Sequence, residues 1–225
     1  MRSPMLSTII TTALAVAANS ALIGISAAQE TAERSRTQGL KETDRFVKAG
    51  AGASEAVANA KLQTQKTLEA YNTLVTQPST NMKGDYKKLM KSMDSMNDRV
   101  ETARQKIAET QKAGDVYFSG RAETIKNIQD PQLQERAKQR LGESQKEFAG
   151  VLQSMREAGD SLEPFRKDLA DQITFLGSDL TPSAMTALKP NADKLNARGA
   201  ELFARTDKAI AGANAYFESL KAAQT

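Results

Sequence analysis

The feature that most constrains this chain is a three-four alternation of apolar positions. It passes through Tyr86, Leu89, Met93, Met96, Val100, Ala103, Ile107, Thr110, Gly114 and Tyr117 without a miss. Residues three and four apart share one face of an α-helix, whereas a half-buried strand needs a period of two. A seam sustained over four or more heptads reads as long helices packed along their lengths. A second seam runs Leu141, Ser144, Phe148, Val151, Met155, Ala158, Leu162, Phe165, Leu169, Gln172 and Leu176. A third runs from Met185, Leu188, Ala192, Leu195 and Gly199 through Leu202, Thr206, Ala209, Ala213, Tyr216 and Leu220. A weaker first one passes Val57, Thr64, Leu68, Tyr71 and Val75. No alternating Val/Ile/Thr run suggests a strand.

The punctuation between seams agrees. Pro78-Ser79-Thr80-Asn81 separates the first helix from the second. Asp130-Pro131 and Thr181-Pro182 each read as an N-cap followed by Pro at the first helical position. Pro164 falls inside a seam that keeps register on both sides, which predicts a kink rather than an end. Pro190 suggests a short first turn set apart from the fourth helix. The expected fold is all-α: an elongated antiparallel coiled-coil bundle of about four helices, spectrin-like or BAR-like in general shape. Two of the helices, near 83–129 and 131–176, are expected to be about 45 residues long. Flanking apolar residues such as Leu62, Met90, Ile125 and Ile173 widen each seam into a bundle face.

The N-terminus reads as a secretory signal over residues 1–28. Arg2 is the only charge before Glu30, an apolar stretch runs from Met5 to Ile25, and Ser26-Ala27-Ala28 supplies small residues before Gln29. The segment is rather polar for a membrane span. Cleavage near Ala28 would remove one basic and no acidic residue, lowering the net charge from +4 to +3. Export to the periplasm is the expectation. Residues 29–54 are Ala/Gly-rich and expected to be partly helical or flexible, with Gly50-Ala51-Gly52 a weak point for any helix. Residues 55–222 are expected to form a single bundle domain.

Composition narrows the chemistry. With no Cys and no His, no disulfide, thiolate or imidazole metal site, His base or Cys nucleophile is available. The charge is nearly balanced, 31 basic against 27 acidic residues, so nothing calls for nucleic acid. There is no P-loop, EF-hand loop, G-x-S-x-G or S-x-x-K. Acidic residues abound, but no spacing demands a general acid–base pair. The chain is expected to be no enzyme and to use no cofactor or metal. Met90, Met93 and Met96 fall in a thioether-rich spacing that could suit Cu(I), but two of them occupy seam positions and are expected in the core. Lys83, Lys87, Lys88 and Lys91 form a basic cluster that Asp168, Asp171 and Asp179 should partly neutralise.

The turn between the second and third helices carries Arg121, Lys126, Arg136, Lys138 and Arg140 against Glu123, Asp130 and Glu135. This is the better candidate interaction surface, and a phospholipid surface is one partner it would fit. Phe118 is either an exposed anchor near that tip or packed against a neighbouring helix, and packing is favoured. Phe203, Ile210 and Phe217, spaced by seven, would be a dimer stripe if they are not core.

Three segments carry a family resemblance. They are Asp98-Arg99-Val100-Glu101-Thr102-Ala103-Arg104, the run from Asp130-Pro131-Gln132-Leu133 to Phe148, and Leu162-Glu163-Pro164-Phe165-Arg166 through Phe175-Leu176 to Thr181-Pro182-Ser183-Ala184. Over roughly residues 55–220 the chain resembles an uncharacterised bacterial domain-of-unknown-function family of exported helical-bundle proteins. The resemblance implies bacterial origin, export and a coiled-coil bundle, and transfers no functional residue. The expected role is a structural, scaffold or protein-interaction module of the cell envelope, with protein partners or self-association. The alternative is a membrane-surface or lipid-handling protein, for which the small residues Gly199, Ala209 and Ala213 leave room for a cavity.

Overall fold

The computed structural model describes residues 14–222, with side chains from residue 37 onward and at Glu33. Residues 1–13 of the expected signal lie outside the described residues. The helices are α1 (Leu14–Thr76), α2 (Met82–Lys126), α3 (Pro131–Ser178) and α4 (Pro182–Ala222), and no strand occurs among the described residues. The chain divides into two compact units, Met1–Lys41 and Glu42–Thr225. In the first, residues 14–41 are helical and the Thr37 hydroxyl donates to the Glu33 carbonyl at 2.9 Å. The second is an all-α four-helix bundle.

Local chemistry sets the helix ends. At α2 the Asn81 side chain accepts from the Gly84 N–H at 3.1 Å. At α3 the Asp130 carboxylate accepts from the Gln132 and Leu133 N–H groups at 2.8 and 3.0 Å, with Pro131 opening the helix. At α4 the Thr181 hydroxyl accepts from Ala184 N–H at 3.3 Å. Each cap satisfies donors that the first helical turn leaves unpaired. The far end of α2 is closed by Gln134, whose amide donates to the carbonyls of Ile125, Lys126 and Ile128.

Contacts between helices fix an up-down-up-down order. The Thr110 hydroxyl of α2 donates to the Ala49 carbonyl of α1 at 2.9 Å, and Gln63 and Thr67 of α1 meet Ser92 of α2. Arg166 of α3 donates to Asn97 of α2 at 3.1 Å, and Arg104 pairs with Glu163 at 3.3 Å. Ser144 of α3 meets Tyr216 of α4 at 3.1 Å. Lys61 of α1 pairs with Asp207 of α4 at 2.5 Å, and Asn72 meets Asn196. In every neighbouring pair, one number rises as the other falls, which is antiparallel packing. At 1.5 Å per residue, α2 and α3 with 45 and 48 residues are roughly 70 Å long.

The core follows the seams, with three corrections. On α3 the interior positions are Leu152 and Ile173, and the expected Val151 and Gln172 flank them half-buried. Each bundle helix contacts two neighbours, so its apolar stripe is wider than a two-helix seam and the larger apolar side chain takes the centre. Gln172 instead meets the hydroxyl of buried Tyr71. On α4, helix continues through Pro190, because an exposed proline costs one backbone bond while the residues on either side, Leu188 and Ala192, remain in the core. On α1, helix also continues through Gly50 and Gly52, and the seam reaches back from Val57 through Ala53 and Gly50 to Phe46 in unbroken three-four steps. Tertiary packing there outweighs the propensity cost of glycine.

Candidate functional site

Two places in the bundle depart from uniform side-chain packing, and they do so in opposite directions. Near one end six aromatic rings gather from all four helices: Phe46 of α1, Tyr117 and Phe118 of α2, Phe148 of α3, and Tyr216 and Phe217 of α4. The Phe46 ring lies 4.8 to 6.3 Å from the other five. Glycines at seam positions make the room. A Cβ on Gly50 would strike the Phe217 ring, and one on Gly114 would strike Phe148. Burial pushes the Tyr216 hydroxyl up to about 12, against the opposing hydrogen bond with Ser144. Burial raises Tyr71 as well.

Midway along the bundle the opposite holds. Ala60 of α1, Ala103 of α2 and Ala158 and Gly159 of α3 line a cavity of about 50 Å³, with Val100, Ile107, Leu162 and Leu202 also in its wall. Two charged side chains also line it. Lys61 spans α1 to α4 through its pair with Asp207. Arg104 spans α2 to α3 through Glu163, whose other oxygen holds Arg166 at 2.5 Å. Arg166, then Arg104, holds the Glu163 carboxyl below the usual carboxylate range. The Arg166 Nε–H is buried without a hydrogen-bond partner.

Two grooves lie outside the core. The α3–α4 groove, about 1000 Å³, has a floor of small residues including Gly150, Ser154, Ala158, Ala209, Gly212 and Ala213. Glu147 and Glu157 rim it on α3, Arg205 and Lys208 on α4. A shallower one of about 680 Å³ lies between α2 and α3, between Gln111 and Arg156 at one end and Phe118 and Phe148 at the other. The Arg156 guanidinium donates to the Gln111 side chain.

The candidate residues of the α2–α3 turn differ in their surroundings. Phe118 is 6% exposed and packs against Phe46 and Phe148 within the ring cluster. Arg121 stacks its guanidinium 5.4 Å from the Tyr117 ring centroid, a cation–π contact. Lys126 pairs with Glu123 at 2.5 Å. Arg136, Lys138 and Arg140 are exposed on the first three turns of α3, beside Leu133 at 55% exposure. The stripe Phe203, Ile210, Phe217 packs inward: Phe217 is 3% exposed, and the other two lie half-buried against the core. Met93 and Met96 are core residues, while Met90 is exposed. Sequence reasoning passed over Phe46, although the three-four steps reached it. It also left unread the coincidence of Ala60, Ala103 and Ala158 at one level, which depends on the register between helices.

Comparison with known proteins gives one match. A family model described as a protein of unknown function, DUF2959, matches residues 31–220, starting earlier than the resemblance at 55 implied. No curated protein and no solved structure gives a significant match.

Proposed function

The chain belongs to the DUF2959 family, and from that premise we propose that it is a non-catalytic, exported interaction module of the bacterial cell envelope, docking an amphipathic helix of a partner protein along α3 and α4. The observation that carries this reading is the α3–α4 groove. Its small-residue floor allows a third helix to approach closely, as in helix-in-groove recognition. Gly150 and Gly212 have open space where a Cβ would stand. The acidic rim of α3 faces the basic rim of α4 across the trough. A partner helix with bases on one flank and acids on the other matches both rims. The test is site-specific photocrosslinking in cells, with benzoylphenylalanine at Gly212 in the groove and at Lys66 on α1. A discrete adduct from Gly212, absent from Lys66 and lost on Gly150→Trp, supports docking. Equal adducts from both positions, or none from Gly212, overturn it.

Export rests on the charge and small-residue pattern of residues 1–28, and no helix among the described residues is long and apolar enough to cross a membrane. N-terminal sequencing of the protein from cells should begin near Gln29. A start at Met1 sinks the export reading.

A membrane-surface role is the second reading, favoured by one observation. Arg136, Lys138 and Arg140 project beside exposed Leu133 with no ion-pair partner among the described residues. Co-sedimentation with anionic vesicles that high salt abolishes would support it. No binding at low salt would end it.

A further inference from the structure

We propose that the partner in the α3–α4 groove is a second copy of this chain. The two copies lie face to face about a two-fold axis parallel to their helices, so that α3 of each packs against α4 of the other. This names the partner of the docking reading above, on which it rests.

Charge singles out the second copy. The groove is continued along the same two helices by a smaller one of about 260 Å³. Across both, every charged lining residue of α3 is an acid: Glu147, Glu157, Asp168 and Asp171. Every charged lining residue of α4 is a base: Lys194, Arg198, Arg205 and Lys208. Asp168 and Arg198 pair with each other. The other six form no ion pair among the described residues. Glu157 accepts only from the neutral amide of Gln153, and Arg205 donates to the Ser161 hydroxyl. The face thus carries an acidic flank and a basic flank that its own chain leaves largely unneutralised, and a copy of the same face supplies both complements.

Position chooses the axis. Ser144 of α3 meets Tyr216 of α4, Ser161 meets Arg205, and Asp168 meets Arg198. Gly150 is therefore level with Gly212, Glu157 with Arg205 and Lys208, and Asp171 with Lys194. A two-fold axis along the helices keeps every level and exchanges the flanks. Glu157 then faces Arg205 and Lys208 of the second copy, Asp171 faces its Lys194, and Gly150 faces its Gly212. An axis across the helices would instead set α3 on α3, acid against acid. Both glycines have open space where a Cβ would stand, so the two backbones can approach closely. Phe175, on the same edge of α3 as Asp168 two turns further on, is 43% exposed and adds an aromatic ring to the face.

The test is sedimentation velocity of the purified protein over a range of concentrations, where a monomer–dimer equilibrium is expected. Glu157→Lys with Asp171→Lys reverses the acidic flank, and Lys194→Glu with Arg205→Glu reverses the basic one. Each double variant alone should dimerise about a hundredfold more weakly, and an equal mixture of the two should recover affinity to within about tenfold of the unaltered chain. A misfolded variant cannot be rescued in that way. The chain has no Cys, so Gly150→Cys and Gly212→Cys report the axis: a disulfide should join the two variants when mixed and form far less in either alone. A monomer at every concentration overturns the proposal. So do charge variants that dimerise like the unaltered chain, a mixture no tighter than its components, or a disulfide that Gly150→Cys forms as readily alone as mixed. The docking reading fails separately. A Gly212 photoadduct in cells at twice the mass of the chain supports the second copy, whereas one at another mass keeps helix docking and removes the second copy as partner.

Discussion

The ring cluster and the alanine layer are built on the same three-four pattern and end as opposites. In the first, seam glycines vacate volume and rings from all four helices fill it. In the second, small residues from three helices meet at one level and nothing fills the space. Helical periodicity decides which positions face inward. The summed side-chain volume at each level decides whether the interior is dense or hollow. A filled end thus sits beside a loosely packed middle in one bundle.

The sharpest way to break this contrast is at its densest point. Phe46→Ala removes a fully buried ring that touches five others and should cost about 3–5 kcal/mol in chemical denaturation. A loss below about 1 kcal/mol would mean that the ring cluster is not the anchor. Next comes Gly50→Ala, which puts a methyl into the Phe217 ring. It should destabilise by about 1–3 kcal/mol, although alanine is the better helix former. If the thermal midpoint rises instead, intrinsic propensity outweighs the packing seen here.

The slack middle should respond in the reverse sense. Ala103→Val adds volume to a cavity of about 50 Å³, whose presence costs about 1 kcal/mol at ~24 cal/mol per Å³. Less the small helix penalty of a β-branched residue, the variant should gain several tenths of a kcal/mol. A clear loss would show that this level is already full. On the outer face, Gly212→Ala meets no atom and should stabilise by about 0.5–1 kcal/mol. It thereby serves as the control for Gly50→Ala.

Alkaline pH separates the regions by a different route. The folded state holds Tyr216 protonated up to about 12, against an ordinary 10.0. The unfolded chain therefore loses this proton first. Stability is at its full value below pH 10, falls as pH rises from 10, and the loss is complete above about 12. Tyr71, raised in the same direction, adds to the fall. Tyr216→Phe removes its share, so the variant's thermal midpoint should decline less steeply from pH 10 to 12. An identical slope would place Tyr216 in contact with water.

Much of the fold was legible because its signals are local. The caps at Asp130 and Thr181 need only their own helix's first turn, and all ten seam residues of α2 from Tyr86 to Tyr117 face inward, Tyr86 least deeply. The α1 seam was also present in full, yet glycine at 50 and 52 looked like a break because propensity weighs a residue without its neighbours. The candidate sites were far less legible. Phe118 is one residue from seam position Tyr117, and both rings are buried because Phe46 stands between helices to receive them. Periodicity and capping act within a few residues, so four helices, the turns between them and most apolar positions could be read from the residues alone, whereas the reach of α1 through Gly50 and the unbroken helix at Pro190 could not. Which levels of those faces meet is settled between helices, not within one. Axial register between helices is a sum over the whole interface, and it is register that set five rings around Phe46 and three alanines around an empty space.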